Sequence, residues 1–160
     1  MDTLKENLVS FKVTCLREWP ELLKNEEVLI LERHQLEELP KGIVQMQKLD
    51  LLILQSNYLK ELPKDFGRLK SLRALNLENN QLTKLPESIG ELKNLEILNL
   101  YNNQIIELPE SLSKLQNLQR LYLSGNPICI TLGDRGIKRI EKTLPNLFTL
   151  EVSPFPPDRW

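Results

Sequence analysis

The sequence LRALNLENN at residues 72–80 decides how this chain folds, because its spacing LxxLxLxxN recurs along the chain. The same pattern occurs as LDLLILQSN at 49–57, LEILNLYNN at 95–103 and LQRLYLSGN at 118–126. Successive copies begin 23 residues apart, and this period does not slip. Self-similarity at a constant period of this length predicts a repeat architecture.

The remainder of each repeat is equally regular and follows the pattern LxxLPxxIxxL. Counting back 23 residues from the first copy gives another, in which His34 replaces the final asparagine. A shorter step of 20 residues gives a degenerate copy that contains Val9 and Phe11. After the last regular copy, a connection of 29 residues leads to Leu147 and Leu150, which again have the leucine spacing. The repeat therefore covers nearly the whole chain.

The LxL segment predicts a short strand whose two leucines point to one side and whose middle residue points to the other. One repeat alone cannot bury its leucines, but parallel stacking of repeats buries them against neighbouring copies. The proline of each repeat has no N–H and fixes φ, so the segment opposite the strand should be extended or 3₁₀-helical. Near the end, Ile137, Ile140 and Leu144 have helical spacing, with Asp134 as a predicted N-cap. This helix should cover the last core layer.

These motifs resemble the leucine-rich-repeat family, and the 23-residue LPxxIxxL form is similar to its Ras-group type. The resemblance implies an α/β-type solenoid, a right-handed horseshoe with a concave parallel sheet of about six to seven strands. Residues 126–151 resemble the capping unit of intracellular repeat proteins. We expect one domain over residues 1–160: a degenerate repeat or cap at 1–25, regular repeats at 26–126, and a cap and tail at 127–160. Family analogy also implies a protein partner, with a small GTPase or signalling component as one class.

The bulk composition excludes several functions. The 160 residues carry a formal net charge of −1, which gives no electrostatic reason to expect nucleic acid or an anionic membrane as the partner. The start of the sequence lacks the apolar region of a secretory signal, and no apolar run reaches the ~20 residues of a membrane span. We therefore expect a cytoplasmic monomer.

The sequence offers no catalytic, cofactor or metal site. The single histidine, His34, has no Cys, His or carboxylate partners at ligand spacing, and its ring can replace the asparagine amide as donor and acceptor. The two cysteines, Cys15 and Cys129, are five strands apart in the predicted stack, which is too far for a disulfide. We expect two free, packed thiols and no enzymatic activity.

The informative positions are those beside the strand leucines, which project from the sheet on what we call the concave face. The first half should expose an apolar patch, and the second half a polar and aromatic strip. We predict that this face binds a protein through Val28, Ile30, Leu51, Ile53, Asn76, Ile97, Asn99, Tyr101, Arg120 and Tyr122. Three alternatives remain: the same patch mediates self-association, β-branched residues merely suit the sheet, or the amino-terminal segment folds over it.

The last position of the nine-residue pattern should have a structural role. An asparagine side chain can both donate to and accept from backbone groups where the chain leaves the strand. We predict a structural ladder made of His34, Asn57, Asn80, Asn103 and Asn126.

Overall fold

The computed structural model describes residues 25–153 of the chain. The predicted degenerate repeat around Val9, Cys15 and the proline-containing tail from residue 154 lie outside the described residues.

Within residues 25–153, six short parallel strands form one sheet, and each pairs with its neighbours along the chain. The pairing of Leu51 with Ala74, and of Ala74 with Ile97, joins residues 23 positions apart. The predicted period is therefore the register of the sheet, and the predicted solenoid fold is confirmed. The strands are β1 (Val28–Ile30), β2 (Leu51–Ile53), β3 (Ala74–Asn76), β4 (Ile97–Asn99), β5 (Arg120–Tyr122) and β6 (Thr149–Glu151).

The core lies behind the sheet and is built from the leucines of the repeats. In the repeat that contains β3, Leu75 and Leu77 are buried, whereas Ala74 and Asn76 are partly exposed on the other side of the strand. This alternation repeats from strand to strand, so the buried leucines of adjacent repeats form one continuous cluster. Each repeat depends on its neighbours for burial, as expected for a solenoid.

Short 3₁₀ helices form the side of the solenoid opposite the sheet. Pro40, Pro86 and Pro109 come directly before three of them, with extended backbone, so proline sets the direction in which each helix begins. The predicted extended or 3₁₀ convex side is confirmed. In the described part of the chain these helices are Lys41–Gln45, Phe66–Arg68, Glu87–Glu91 and Glu110–Lys114.

Adjacent 3₁₀ helices approach each other closely at two glycines. A Cβ atom on Gly67 would overlap the backbone carbonyl oxygen of Ser88, and one on Gly90 would overlap that of Ser111. The next repeat therefore leaves no room for a side chain at either position. These two glycines therefore allow the 3₁₀ helices of adjacent repeats to pack closely against each other.

Two helices lie between β5 and β6: α1 (Ile128–Thr131) and α2 (Gly133–Thr143). Ile140 and Leu144 are buried against the core, so the predicted C-terminal helix is confirmed. The predicted N-cap is wrong, because Asp134 lies inside the first turn and Leu132 occupies the cap position. Since α1 ends directly before α2, Leu132 keeps helical dihedral angles and leaves no extended residue to serve as a side-chain cap.

Every described repeat turns away from its strand through a left-handed residue directly before the ladder position. Its φ angle is 57° at Arg33, 58° at Ser56, 54° at Asn79, 51° at Asn102 and 75° at Gly125. Glycine and, to a smaller extent, asparagine favour this conformation, whereas Arg33 and Ser56 do not. The stacked backbone thus imposes this geometry on ordinary side chains.

Candidate functional site

The concave face consists of two aligned rows of side chains, one at the first and one at the third residue of every strand. Pairing across the sheet places equivalent residues of adjacent repeats side by side. The first row is Val28, Leu51, Ala74, Ile97, Arg120 and Thr149, and the second is Ile30, Ile53, Asn76, Asn99, Tyr122 and Glu151.

The apolar patch, defined as Val28, Ile30, Leu51 and Ile53, lies on β1 and β2. Val28 and Ile30 are each 39% exposed, although both are aliphatic residues on a strand. Leu51 and Ile53 pair with them in the sheet and are half-buried. Four aliphatic side chains thus form a contiguous surface that water can reach. The structure brings these predicted residues together.

Asn76 and Asn99 have a role that the sequence did not predict. The Oδ1 atom of Asn76 accepts the backbone N–H of Glu78 at 3.0 Å, and that of Asn99 accepts the N–H of Tyr101 at 3.0 Å. Their amide groups donate to the preceding repeat, at 3.3 Å to Gln55 Oε1 and 3.2 Å to Glu78 Oε2. Both asparagines therefore close the end of their own strand and link two repeats. The tendency of Asn to bond backbone two residues ahead is the signal that could have indicated this.

The aromatic part of the concave face lies around β5. Tyr101 and Tyr122 are half-buried, and Tyr122 is directly beside Asn99 in the sheet. The guanidinium carbon of Arg120 is 5.3 Å from the centre of the Phe148 ring, a cation–π distance. Phe148 is 65% exposed. It was not among the predicted site residues, because it lies directly before its strand and therefore outside the two concave rows.

Charged side chains line the positions directly before the strands. Arg73 Nε is 3.0 Å from Glu96 Oε1 and 3.8 Å from Asp50 Oδ1, so one cation lies between two carboxylates. The hydrogen bond with Glu96, followed by the charges of Glu96 and Asp50, raises the pKa of Arg73 above its ordinary value. These groups are exposed to solvent, and each pair stabilises the fold only slightly.

The predicted ladder is present as a chain of buried hydrogen bonds. Asn103 Nδ2 donates to the carbonyl of Leu100 in its own repeat at 3.1 Å and to that of Leu77 in the preceding repeat at 2.9 Å. Its Oδ1 accepts the N–H of Leu82 at 3.0 Å. Equivalent bonds surround Asn57, Asn80 and Asn126.

His34 stands at the first described position of this ladder. Its Nδ1 is 2.7 Å from the carbonyl oxygen of Glu32, two residues before it. Asn57 Nδ2 makes the corresponding contact with Gln55 at 3.4 Å, so the imidazole replaces one of the amide's bonds. The Oδ1 atom of Asn57 accepts the His34 backbone N–H at 3.0 Å. This arrangement suits the predicted structural substitution for asparagine.

The described residues contain no cluster suited to metal binding, and Cys129 is a free thiol whose environment disfavours reaction. Its Sγ lies 3.0 Å from the carbonyl oxygen of Leu123, to which the thiol donates. Burial raises the pKa of Cys129, which reduces the fraction of reactive thiolate.

Two grooves lie away from the sheet. One of about 560 Å³ crosses the Leu-Pro segments at Leu85 and Leu108, and another of about 960 Å³ separates the last 3₁₀ helix from α2. Neither is lined by histidine or cysteine. No helix in residues 25–153 combines the length and apolar character needed to cross a membrane.

Comparison with known proteins places these features in a family. A family model described as a leucine-rich repeat region matches residues 64–152, and a second family model, described as a leucine rich repeat, matches residues 27–82. A search of curated proteins finds no match.

Solved structures give the same result. A leucine-rich-repeat protein of Leptospira interrogans has a TM-score of 0.64 and 30% identity over 82% of this chain and 44% of its own. The plant peptide hormone receptor RGFR1, solved in complex with RGF2, has a TM-score of 0.57 and 38% identity. The match covers 62% of this chain and 16% of the receptor chain. InlJ from Listeria monocytogenes has a TM-score of 0.58 and 26% identity, over 67% of this chain and 22% of the InlJ chain. This chain therefore spans less than half the length of each of these proteins. The repeat register, the asparagine ladder and the family models together show that the chain belongs to the leucine-rich-repeat family.

Proposed function

We propose that this chain is a non-catalytic protein-interaction module that binds a protein on its concave face. Proteins of this family generally act as interaction modules, and RGFR1 was solved with the peptide RGF2. The observation that carries the proposal is the apolar patch, in which Val28 and Ile30 are each 39% exposed beside Leu51 and Ile53. A contiguous exposed apolar surface with a polar rim is typical of a binding site.

The finer features of the proposal rest on the repeat type. We propose that residues 1–160 form one domain of the Ras-group-like type that acts in the cytoplasm as a monomeric adaptor or regulator, or as a host-directed factor. The 23-residue LPxxIxxL repeat supports this type. By family analogy, a small GTPase or another signalling component is one class of partner. The proposed contact residues are those predicted from the sequence, namely Val28, Ile30, Leu51, Ile53, Asn76, Ile97, Asn99, Tyr101, Arg120 and Tyr122.

Site-specific cross-linking tests where the partner binds. A photoreactive residue at position 53 should capture a defined protein from native lysate, whereas the same residue at the exposed position 84 on the convex side should not. Capture of the same species from both positions, or none from position 53, would contradict binding on the concave face.

A pair of adjacent substitutions separates binding from folding. Ile53→Asn should fold normally and lose most of the captured partner, because the equivalent positions of the next repeats already carry Asn76 and Asn99. Leu52→Asn should unfold the chain, because an amide would be buried without partners in the core at a cost of several kcal/mol. Circular dichroism reports the fold. A folded Ile53→Asn variant with full capture would move the site elsewhere.

Self-association through the same patch is the competing outcome. If two copies bind each other through Ile53, the apparent mass in light scattering should rise with protein concentration and fall again in Ile53→Asn. A constant monomer mass, together with position-specific capture, supports a separate partner.

A further inference from the structure

Carboxylates lie at both ends of the strands β1 to β4. Asp50 and Glu96 stand directly before their strands, as does Glu27 before β1. Glu32 and Glu78 follow the strands on the opposite side. Residues 27 and 32 are five positions apart, so the two acidic borders are separated by roughly 15 Å at the ordinary rise of a strand. The aliphatic first row of β1 to β4 thus lies between two edges in which carboxylates outnumber the guanidinium groups of Arg33 and Arg73.

The cations on this face are already engaged by its own groups. Arg33 lies 3.3 Å from Glu32, and Arg73 lies between Glu96 and Asp50. Arg120 lies over the Phe148 ring. Glu78, in contrast, contacts only neutral amides, those of Asn79 at 3.1 Å and Asn99 at 3.2 Å. Its carboxylate therefore has no neutralising partner among residues 25–153.

Within residues 25–153 the concave face is negative, although the chain is nearly neutral. The described strands and their borders carry six carboxylates and three guanidinium groups, whereas the complete chain has a formal net charge of −1. The excess of negative charge is therefore concentrated on this surface. The groups are Glu27, Glu32, Asp50, Glu78, Glu96 and Glu151, with Arg33, Arg73 and Arg120.

The dimensions of the strip suit a helix. The first concave row is aliphatic from Val28 through Leu51 and Ala74 to Ile97, across four strands. At a strand spacing of ~4.8 Å this row is roughly 14 Å long, which equals about three turns of an α-helix. A helix with its side chains is about 10–12 Å wide, which fits between acidic edges roughly 15 Å apart.

We propose that the concave face binds an amphipathic helix of about three turns whose apolar stripe has Lys or Arg on both sides. The apolar stripe would cover the aliphatic row, and the basic residues would approach the two acidic edges. This inference rests on the proposed function and specifies the chemistry of the partner. Charge complementarity of this kind fixes orientation and increases the association rate.

Selection from a displayed library of helical peptides, with the full chain as bait, tests the proposal. Selected peptides should be enriched in Lys and Arg at positions that border an apolar stripe. Their binding should require Ile53, as judged with the Ile53→Asn variant, and should weaken as salt is raised, because exposed charges are screened.

A charge reversal provides the matched comparison. Glu78→Lys should weaken binding of the selected peptides by roughly fivefold. The reason is that a carboxylate at the edge of the face, which contacts only neutral amides within residues 25–153, becomes a cation. Glu141→Lys, an identical change of net charge on the exposed surface of α2, should change binding less than about twofold. Melting temperatures of both variants establish that they fold. The salt dependence of peptide binding is measured on the unaltered chain, so this test does not depend on either substitution.

The outcomes distinguish this inference from the function on which it rests. Peptides that require Ile53 but show neither basic enrichment nor salt dependence would overturn the inference and leave the proposed function standing. Equal effects of Glu78→Lys and Glu141→Lys would also overturn it. A selection without any peptide that depends on Ile53 would overturn the inference, whereas the proposed function is overturned only if the cross-linking at position 53 also captures no protein.

Discussion

Replacement of Asn103 by alanine tests whether the ladder holds the repeats together. The side chain accepts the Leu82 N–H, which then has no other acceptor in its buried surroundings. The three carbonyls that it contacts each keep a second donor: Asn80 for Leu77 at 3.0 Å, Asn126 for Leu100 at 2.8 Å, and the Asn79 N–H for Tyr101 at 2.9 Å. One buried N–H is thus orphaned outright, which costs about 1–3 kcal/mol in the free energy of unfolding.

The assay is thermal unfolding followed by circular dichroism, with Asn117→Ala as the control. Asn117 donates to the Lys93 carbonyl at 2.8 Å, but it is exposed, so water replaces the lost bond and the change should stay within ~0.5 kcal/mol. For a chain of this size, a loss of about 2 kcal/mol lowers the melting temperature by ~4–8 °C. Equal shifts in the two variants would refute the reasoning, because burial would then make no difference.

Three further changes test other parts of the fold. His34→Asn should change the free energy of unfolding by less than about 0.5 kcal/mol or increase it, since an amide can replace the imidazole contact with Glu32; a melting temperature far below that of the unaltered chain would contradict this. Gly90→Ala should lower the melting temperature by several degrees, because its Cβ would overlap the Ser111 carbonyl; an unchanged value would show that the 3₁₀ helices can separate. Truncation before Thr131 removes α2 and β6 and should cause aggregation, visible by size-exclusion chromatography; a stable monomer would refute the role of this segment as a cap.

The fold could be predicted from the sequence because the period specifies contacts directly. In a stacked solenoid, residues one repeat apart are neighbours, so the 23-residue spacing of the leucines already gives the pairing of Leu52 with Leu75 and of Leu75 with Leu98. The last strand could be placed although its connection has 29 residues, because Leu147 and Leu150 repeat the leucine spacing. The buried position of Asn103 followed from its hydrogen-bonding capacity combined with the same spacing.

Features that depend on local geometry could not be predicted in this way. The left-handed backbone of Arg33 and Ser56 has no marker in the sequence, because neither residue type favours positive φ. The stacked neighbouring repeats impose the turn. The N-cap assigned to Asp134 failed because α1 ends immediately before α2, which residue propensities do not reveal.

The concave face was predicted in position but not in chemistry. Strand alternation places Asn76 on the solvent side, but only the structure gives its bond to the backbone of Glu78. The contact between Arg120 and Phe148 joins residues 28 positions apart across an irregular connection, so no periodic rule could have paired them. The predicted contact residues remain a proposal to be tested by substitution.

The hydrogen bonds of the ladder also determine how this protein can change in length. Asn103 contacts residues 21 and 26 positions before it, and Asn126 does the same in the next repeat. A duplication of one complete 23-residue unit would recreate all these bonds, whereas an insertion of 22 or 24 residues would misplace every one of them. Gene duplication can therefore lengthen the sheet by whole strands of ~4.8 Å, and each added unit brings two new side chains to the concave face for selection to alter independently of the core.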